Sequence, residues 1–219
     1  MTSGSTNDSY GLCRYNSILQ SFDFIDNHRC YGNTSTNFSY FCFNCLALTK
    51  LPDNLDTSSV TNFSSFCYYC YALTKLPDNL DTSSGTNFTN FCAYCYALTK
   101  IPDSLDTSKG TNLSYFCYRC YSLTNLPDNL DTSSVTNFSS FCNNCRSLTK
   151  ANIILPAAYN ITTLNASNKL TVASMRYIAD HAPTTSSHTL TIGNTNIARA
   201  NAYDPTIITT LTGKGWTVN

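Results

Sequence analysis

Ten of the twelve cysteines stand in pairs. Cys42/Cys45, Cys67/Cys70, Cys92/Cys95, Cys117/Cys120 and Cys142/Cys145 each read C-x-x-C, and the pairs recur every 25 residues, with Cys13 and Cys30 outside the period. Thiolates at this spacing ligate metals, and two converging pairs would offer Zn²⁺ four sulfurs. They also form disulfides, within a pair or between copies stacked at the ~4.8 Å of paired strands, a spacing that a bridge tolerates. A third role is packing, since cysteine is a small buried hydrophobe suited to a tight column. The period favours packing, because in-register pairs all point the same way. Disulfides and zinc remain open. A thioredoxin-like redox site uses a single C-x-x-C in a βαβ context, which five periodic copies do not match.

Other residues with chemistry to offer are sparse. His28, His181 and His188 all lie outside the repeats, and no nucleophile stands at a spacing that would serve Asp180-His181. We therefore expect no catalytic residue, no enzyme activity, no metal site and no cofactor. Asp56, Asp81, Asp106 and Asp131, each followed by Thr, could form a metal column, but Asp-Thr opening a turn is the commoner use. Asn37, Asn62, Asn87, Asn112 and Asn137 fit the N-x-S/T acceptor pattern. Their recurrence with the period reads instead as an inward ladder, with amides bonding between copies and satisfying loop backbone.

The elements that hold these residues follow from the repeat. A fixed period of 25 indicates a solenoid. Five columns keep their apolar character: Phe38 to Phe138, Phe41 to Phe141, Leu48 to Leu148, Leu51 to Leu126, and Leu55 to Leu130. V-T-N-F at 60–63 predicts a short strand, S-S-F-C-Y-Y-C at 64–70 a helical turn, and L-T-K-L at 73–76 a second strand closed by Pro77. P-D-N-L-D-T-S is turn chemistry. One unit buries too little apolar surface to offset the entropy of ordering it, so the units must stack. The expected fold class is an α/β repeat solenoid of short strands plus a helical turn.

The period fails at both ends. Residues 1–33 form an N-terminal segment in which Cys13-Arg14-Tyr15-Asn16-Ser17-Ile18-Leu19 reads as a decayed capping rung, with Asn16 in place of the second Cys. Residues 34–150 hold the five copies. Residues 151–219 predict an α/β cap over the last rung: a strand at Asn160-Ile-Thr-Thr-Leu, a helix from Val172 to His181, a strand from His188 ending at Gly193-Asn194, a helix after Asp204-Pro205 and a last strand at Trp216-Thr-Val.

Composition narrows the partners. Thirteen basic and thirteen acidic residues cancel, and charged residues are 12%, against roughly 25% in an ordinary domain. Such a chain lacks the electrostatic footprint for nucleic acid. No stretch has the ~20 apolar residues of a membrane span, so no membrane insertion is expected. MTSGSTNDSY has neither the basic region nor the apolar core of a secretory signal. Export by another route, or a longer parent chain, would reconcile this with an outside location.

Residues 55–77, LDTSSVTNFSSFCYYCYALTKLP, resemble the BspA-like leucine-rich repeats of bacterial surface proteins. LDTS, VTN, the second Cys and LT all match over about residues 34–150. The first Cys of each pair departs from the usual Phe, so the redox state of that column is not carried over. The tail is similar to the C-terminal cap that follows such repeats in proteins of Firmicutes and their phages. The resemblance implies a leucine-rich-repeat-like stack with a surface or virion role in recognition or adhesion.

Certain positions wander between copies: Phe43-Asn44, Tyr68-Tyr69, Ala93-Tyr94, Tyr118-Arg119 and Asn143-Asn144, then Leu46, Tyr71, Tyr96, Tyr121 and Arg146. On a helical turn they should face solvent. The candidate binding residues are therefore Tyr68, Tyr69, Tyr71, Tyr94, Tyr96, Tyr118, Arg119, Tyr121, Asn143, Asn144 and Arg146. Tyr, Asn and Arg suit glycan or protein contact. The leading expectation is a phage virion appendage (fibre, tail or capsid decoration) that contacts a bacterial surface glycan or protein, and other virion proteins through its N-terminal segment. The alternative is an adhesin domain of a bacterial cell-surface protein. A lesser one is ice or ordered-surface binding through the column Thr49, Thr74, Thr99, Thr124 and Thr149.

Overall fold

The computed structural model describes residues 13–21, 35–128, 130–156, 168–186 and 188–219. The copies stack in parallel. Single-residue bridges link Asn37, Asn62, Asn87, Asn112 and Asn137 in one column and Lys75, Lys100, Asn125 and Lys150 in another. Each partner lies 25 residues on, so one sequence period is one rung.

Backbone polarity alternates along the rung. The N–H groups of Phe63, Ser65, Cys67 and Tyr69 donate to the carbonyls of Asn87, Thr89, Phe91 and Ala93 in the next rung, at 2.7–3.0 Å. Between them, Phe66, Tyr68 and Cys70 close turns onto Phe63, Ser65 and Cys67 of their own rung. The alternation requires left-handed backbone at two places per rung: φ is 56° at Ser65 and 64° at Tyr69, and the same recurs at Asn90 and Tyr94, Tyr115 and Arg119. This conformation costs a non-glycine residue roughly 1–2 kcal/mol, and each of these residues makes an inter-rung bond in it.

The local expectations at 60–76 are corrected here. Single bridge residues, Asn62 and Lys75, stand where strands were expected, and 64–69 is a run of hydrogen-bonded turns in place of a helical turn. A helix directs its N–H groups back along its own axis and could not join the next rung. The apolar spacing at 63, 66, 67 and 70 serves either geometry.

The core is a set of ring and aliphatic ladders. Phe41, Phe66, Phe91, Phe116 and Phe141 are fully buried, with centroids 5.0–5.4 Å apart between neighbours and planes within 20° of parallel. The Leu48 to Leu148 column is buried beside them. Gly85 and Gly110 occupy the position held by Val60 and Val135. A Cβ on Gly85 would lie 2.3 Å from the Phe88 ring. Gly85→Val, although it restores the residue of two other rungs, should therefore destabilise the chain by about 1–3 kcal/mol, read from the urea midpoint.

At the N-terminal end, Cys13 and Tyr15 donate to the carbonyls of Phe41 and Phe43, as Cys42 and Asn44 do to Phe66 and Tyr68, and Thr49 donates to Gln20. Residues 13–21 thus lie on the first full rung in the pattern of a further rung. At the other end are α1 (Val172–His181), β1 (His188–Leu190), α2 (Asn194–Tyr203), α3 (Thr206–Gly213) and β2 (Trp216–Val218), with β1 and β2 parallel. Thr171 caps α1 and donates its N–H to the Thr149 carbonyl, while Ser174 accepts from Ala151 N–H at 2.8 Å. Arg176 joins α1 to the α2–α3 corner through Asp204 at 2.8 Å. The strand expected at 160–164 lies outside the described residues. Helix α2 was not expected.

Candidate binding surface

The left-handed residues decide which way the wandering side chains turn. Tyr69, Tyr94, Arg119 and Asn144 share one such position, and the position two residues later carries Tyr71, Tyr96, Tyr121 and Arg146. The second set forms a regular ladder. Tyr71 and Tyr96 stack at 4.6 Å with planes 11° apart, Tyr96 and Tyr121 at 4.7 Å and 8°, and the Arg146 guanidinium lies 4.6 Å over Tyr121. This is the rung spacing written in side chains.

Beside it runs a second aromatic column with mixed geometry. Phe43 stacks on Tyr68 at 5.4 Å, Tyr69 meets Tyr94 at 4.5 Å, and Tyr94 meets Tyr118 edge-on at 5.3 Å. Arg119 lies over the Tyr94 and Tyr118 rings, and its Nε donates to the Tyr118 hydroxyl at 3.2 Å. Tyr69 stands edge-on to Tyr71 at 5.8 Å and joins the two columns. Desolvation, and then the neighbouring phenols, raise Tyr68, Tyr94 and Tyr96 above the ordinary tyrosine value. These hydroxyls stay protonated donors at neutral pH.

The structure brings nine of the eleven candidates into this aromatic strip: Tyr68, Tyr69, Tyr71, Tyr94, Tyr96, Tyr118, Arg119, Tyr121 and Arg146. Asn143 and Asn144 sit at the equivalent places in the last rung, with the Asn144 amide donating to Asn143 at 3.1 Å. Solvent exposure is the correction. Only Tyr71 and Arg146 are exposed, and the rest are half-buried, because the rings lie flat on each other rather than projecting from a helix. Ala93, a wandering position, is fully buried. Four contributors were missed. Tyr15 packs edge-on to Phe43, Tyr40 and Tyr115 contact Phe43 and Tyr118, and Arg14 lies over Tyr15, Tyr40 and Phe43. Aligning the column Tyr40, Ser65, Asn90, Tyr115 and Ser140 would have exposed two of them.

The chain over residues 36–154 matches the family described as "Mycoplasma protein of unknown function, DUF285". That stretch is 119 of 219 residues, more than half of the chain. The chain belongs to the DUF285 family. No curated protein and no solved structure matches it.

The other polar columns of the DUF285 repeat are structural. Each Asn37-type side chain accepts the N–H two residues on, as Asn62 does from Ser64 at 3.0 Å. The amide oxygen thus satisfies backbone within its own rung, as expected, while the bonding expected between rungs is made by the Asn backbone. Asp56, Asp81, Asp106 and Asp131 likewise accept from Ser58, Ser83, Ser108 and Ser133. The bond from Ser108 N–H holds the Asp106 carboxyl below its usual range. Among the described residues, no group of three or more His, Cys, Asp or Glu is placed to hold a metal. Thr57, Thr82 and Thr107 form a buried column missed in the sequence. Each donates its hydroxyl to the Asp carbonyl of the next rung, at 2.6–2.8 Å.

Two exposed Thr columns run along the DUF285 stack. Thr74, Thr99, Thr124 and Thr149 each donate the hydroxyl to the preceding Thr carbonyl at 3.1–3.3 Å, and Thr61, Thr86, Thr111 and Thr136 do the same at 3.0–3.2 Å. These bonds run along the axis from rung to rung. The cysteines resolve similarly. Cys70, Cys95, Cys120 and Cys145 donate S–H to the carbonyls of Cys42, Cys67, Cys92 and Cys117 in the preceding rung, at 2.9–3.1 Å. All ten paired cysteines are buried free thiols.

Proposed function

We propose that this chain is a non-enzymatic recognition or adhesion module, built as a leucine-rich-type solenoid of the BspA-like kind with an α/β cap, and that the aromatic strip is its binding face. One observation carries the reading: a continuous Tyr and Arg surface runs along successive rungs, while the surrounding columns use their polar groups to hold the stack. Tyr and Arg together are the residues enriched where proteins bind. The carrier is a virion appendage that contacts a bacterial surface. A second reading, an adhesin domain of a bacterial cell-surface protein, is favoured by the bacterium named in the family's description. Both place the module at the outside of a particle or cell.

The test is binding of labelled protein to intact bacteria and to stripped cell-wall glycans. Saturable binding is expected, with loss of at least about tenfold when Tyr68, Tyr69, Tyr94, Tyr96 and Tyr118 are changed together to Ser, since truncated hot-spot residues cost 2 kcal/mol or more. Circular dichroism would verify that the variant is folded. Equal binding by the variant would remove the strip from the site.

A further inference from the structure

We infer that the strip takes a linear polysaccharide bearing carboxylates, held by guanidinium and phenol hydroxyl groups rather than by stacking sugar rings on aromatic faces. This rests on the recognition reading above and specifies its ligand.

The ring faces decide the mode. Sugar stacking needs an open aromatic face, but in the outer ladder the faces are closed by one another. Tyr96 is covered on both sides, by Tyr71 at 4.6 Å and by Tyr121 at 4.7 Å, and Arg146 closes the outer face of Tyr121. Stacking leaves the ring edges as the accessible part of the ladder, with Tyr71 exposed and Tyr96 and Tyr121 half-buried. The edge is the positive side of the ring quadrupole, and a phenol O–H is a hydrogen-bond donor. Edges and O–H groups both favour acceptors and anions.

Charge points the same way. Among the described residues, neither Arg119 nor Arg146 has a carboxylate partner; the ion pairs are Lys100–Asp103, Lys150–Asp128, Arg176–Asp180 and Arg176–Asp204. The chain contains no Glu, and every Asp of residues 35–150 lies in the loop, at 53, 56, 78, 81, 103, 106, 128 and 131. Lys50, Lys75, Lys100, Lys109 and Lys150 stand near these acids, as in the Lys100–Asp103 and Lys150–Asp128 pairs, whereas the two arginines of residues 35–150 stand on the aromatic strip. Arginine pairs with carboxylates through two parallel hydrogen bonds. Shape completes the argument: the cavities lined by Lys169, Arg199 and Tyr203, or by Asn152 and Tyr177, lie at the cap. The strip is a path along the axis, which fits an extended polymer rather than a compact molecule.

The experiment measures binding of the whole protein to immobilised polygalacturonate and to neutral dextran over a salt series. Three proteins are compared: the unaltered chain, Arg119→Gln/Arg146→Gln, and Tyr71→Phe/Tyr96→Phe/Tyr121→Phe, which keeps the ladder but removes its hydroxyls. Binding to the acidic polymer alone is expected, weakening with salt. Loss should be about tenfold per guanidinium. The Phe variant should lose about three- to tenfold overall with an unchanged melting temperature. Equal binding to dextran, or undiminished binding by the Arg variant, overturns the inference. Failure on both polymers while bacteria are still bound through the strip also overturns it and leaves the recognition reading standing. Failure on polymers and bacteria alike removes both.

Discussion

Phe91→Ala is expected to lower the stability of this protein by about 3–5 kcal/mol, more than any single change on the surface strip. Phe91 is fully buried in the middle rung, stacked 5.4 Å from Phe66 and 5.0 Å from Phe116, with Phe63 and Phe88 edge-on at 5.9 and 5.7 Å. Removing the ring opens a cavity that borders three rungs. In a stack, stability is the sum of rung and interface terms, so a central truncation weakens two interfaces at once. A change of comparable chemistry at the strip, Tyr96→Ala, removes stacking of about 0.5–1.5 kcal/mol per pair but leaves no internal void. Urea titration followed by circular dichroism measures both. A loss below about 1 kcal/mol for Phe91→Ala would mean that neighbouring rungs do not enclose this ring.

A steep loss of stability above pH 9 is the second large effect. Burial pushes the thiols of Cys92, Cys95 and Cys117 well above the ordinary value. An unfolded thiol titrates near about 8.5. Below that pH these three thiols hold the proton in both states and contribute no pH dependence. Cys67 differs: its desolvation is outweighed by hydrogen bonds from Cys42 and Cys70, which lower it to about 6, so it adds stability as pH rises toward the unfolded value. Above it the unfolded chain ionises while the folded chain does not, so stability falls by about 1.4 kcal/mol per pH unit for each thiol. The decline continues until the folded pKa is reached. These three together give about 4 kcal/mol per pH unit, which is large against a typical total of about 5–15 kcal/mol. Urea midpoints between pH 7.5 and 10.5, with reductant present, should hold or rise slightly at first and then drop sharply. Cys92→Ala/Cys117→Ala should flatten the drop. A level profile across the range would contradict thiols buried as neutral S–H donors.

The repeat made most of the interior legible. Phe66, Leu73, Leu76 and Leu80 each stood in a column of constant type, and a constant column in a stacked array is an interior one. Asp-Thr and Asn-x-Ser were recognisable as turn chemistry because short polar side chains reach the backbone two residues on. The backbone of residues 64–70 was not legible. Apolar residues at 63, 66, 67 and 70 satisfy both a helix and a succession of turns with left-handed residues, and nothing in Ser65 or Tyr69 themselves announces φ > 0. The deciding factor is the next rung, which needs outward N–H groups. The same nonlocal cause explains the burial of Ala93 and the flattening of the tyrosines.

The two halves of the cap differed for physical reasons. Helix α1 shows its face through Met175, Ile178 and Ala179, and α3 has a proline at its entry. Helix α2, Asn194–Tyr203, buries only Asn196 and Ala200. Its polar Asn196 is satisfied inside by the Ile192 carbonyl and Arg199, so no apolar stripe marks it. On the strip, the wandering positions exposed the Tyr and Arg content directly. Tyr15 and Arg14 stayed hidden because their rung is degenerate, and Tyr40 and Tyr115 because their column also holds Ser and Asn.

Hydroxyl-radical footprinting of the protein bound to bacteria would test the central claim most directly. Tyr71, Tyr96 and Tyr121 report on the strip, and Tyr203, 78% exposed on α2, serves as a control within the same molecule. The account predicts that oxidation of the three strip tyrosines falls on binding while that of Tyr203 is unchanged. Protection of Tyr203 with the strip tyrosines still oxidised at their free rate would place the binding face on the cap and contradict it.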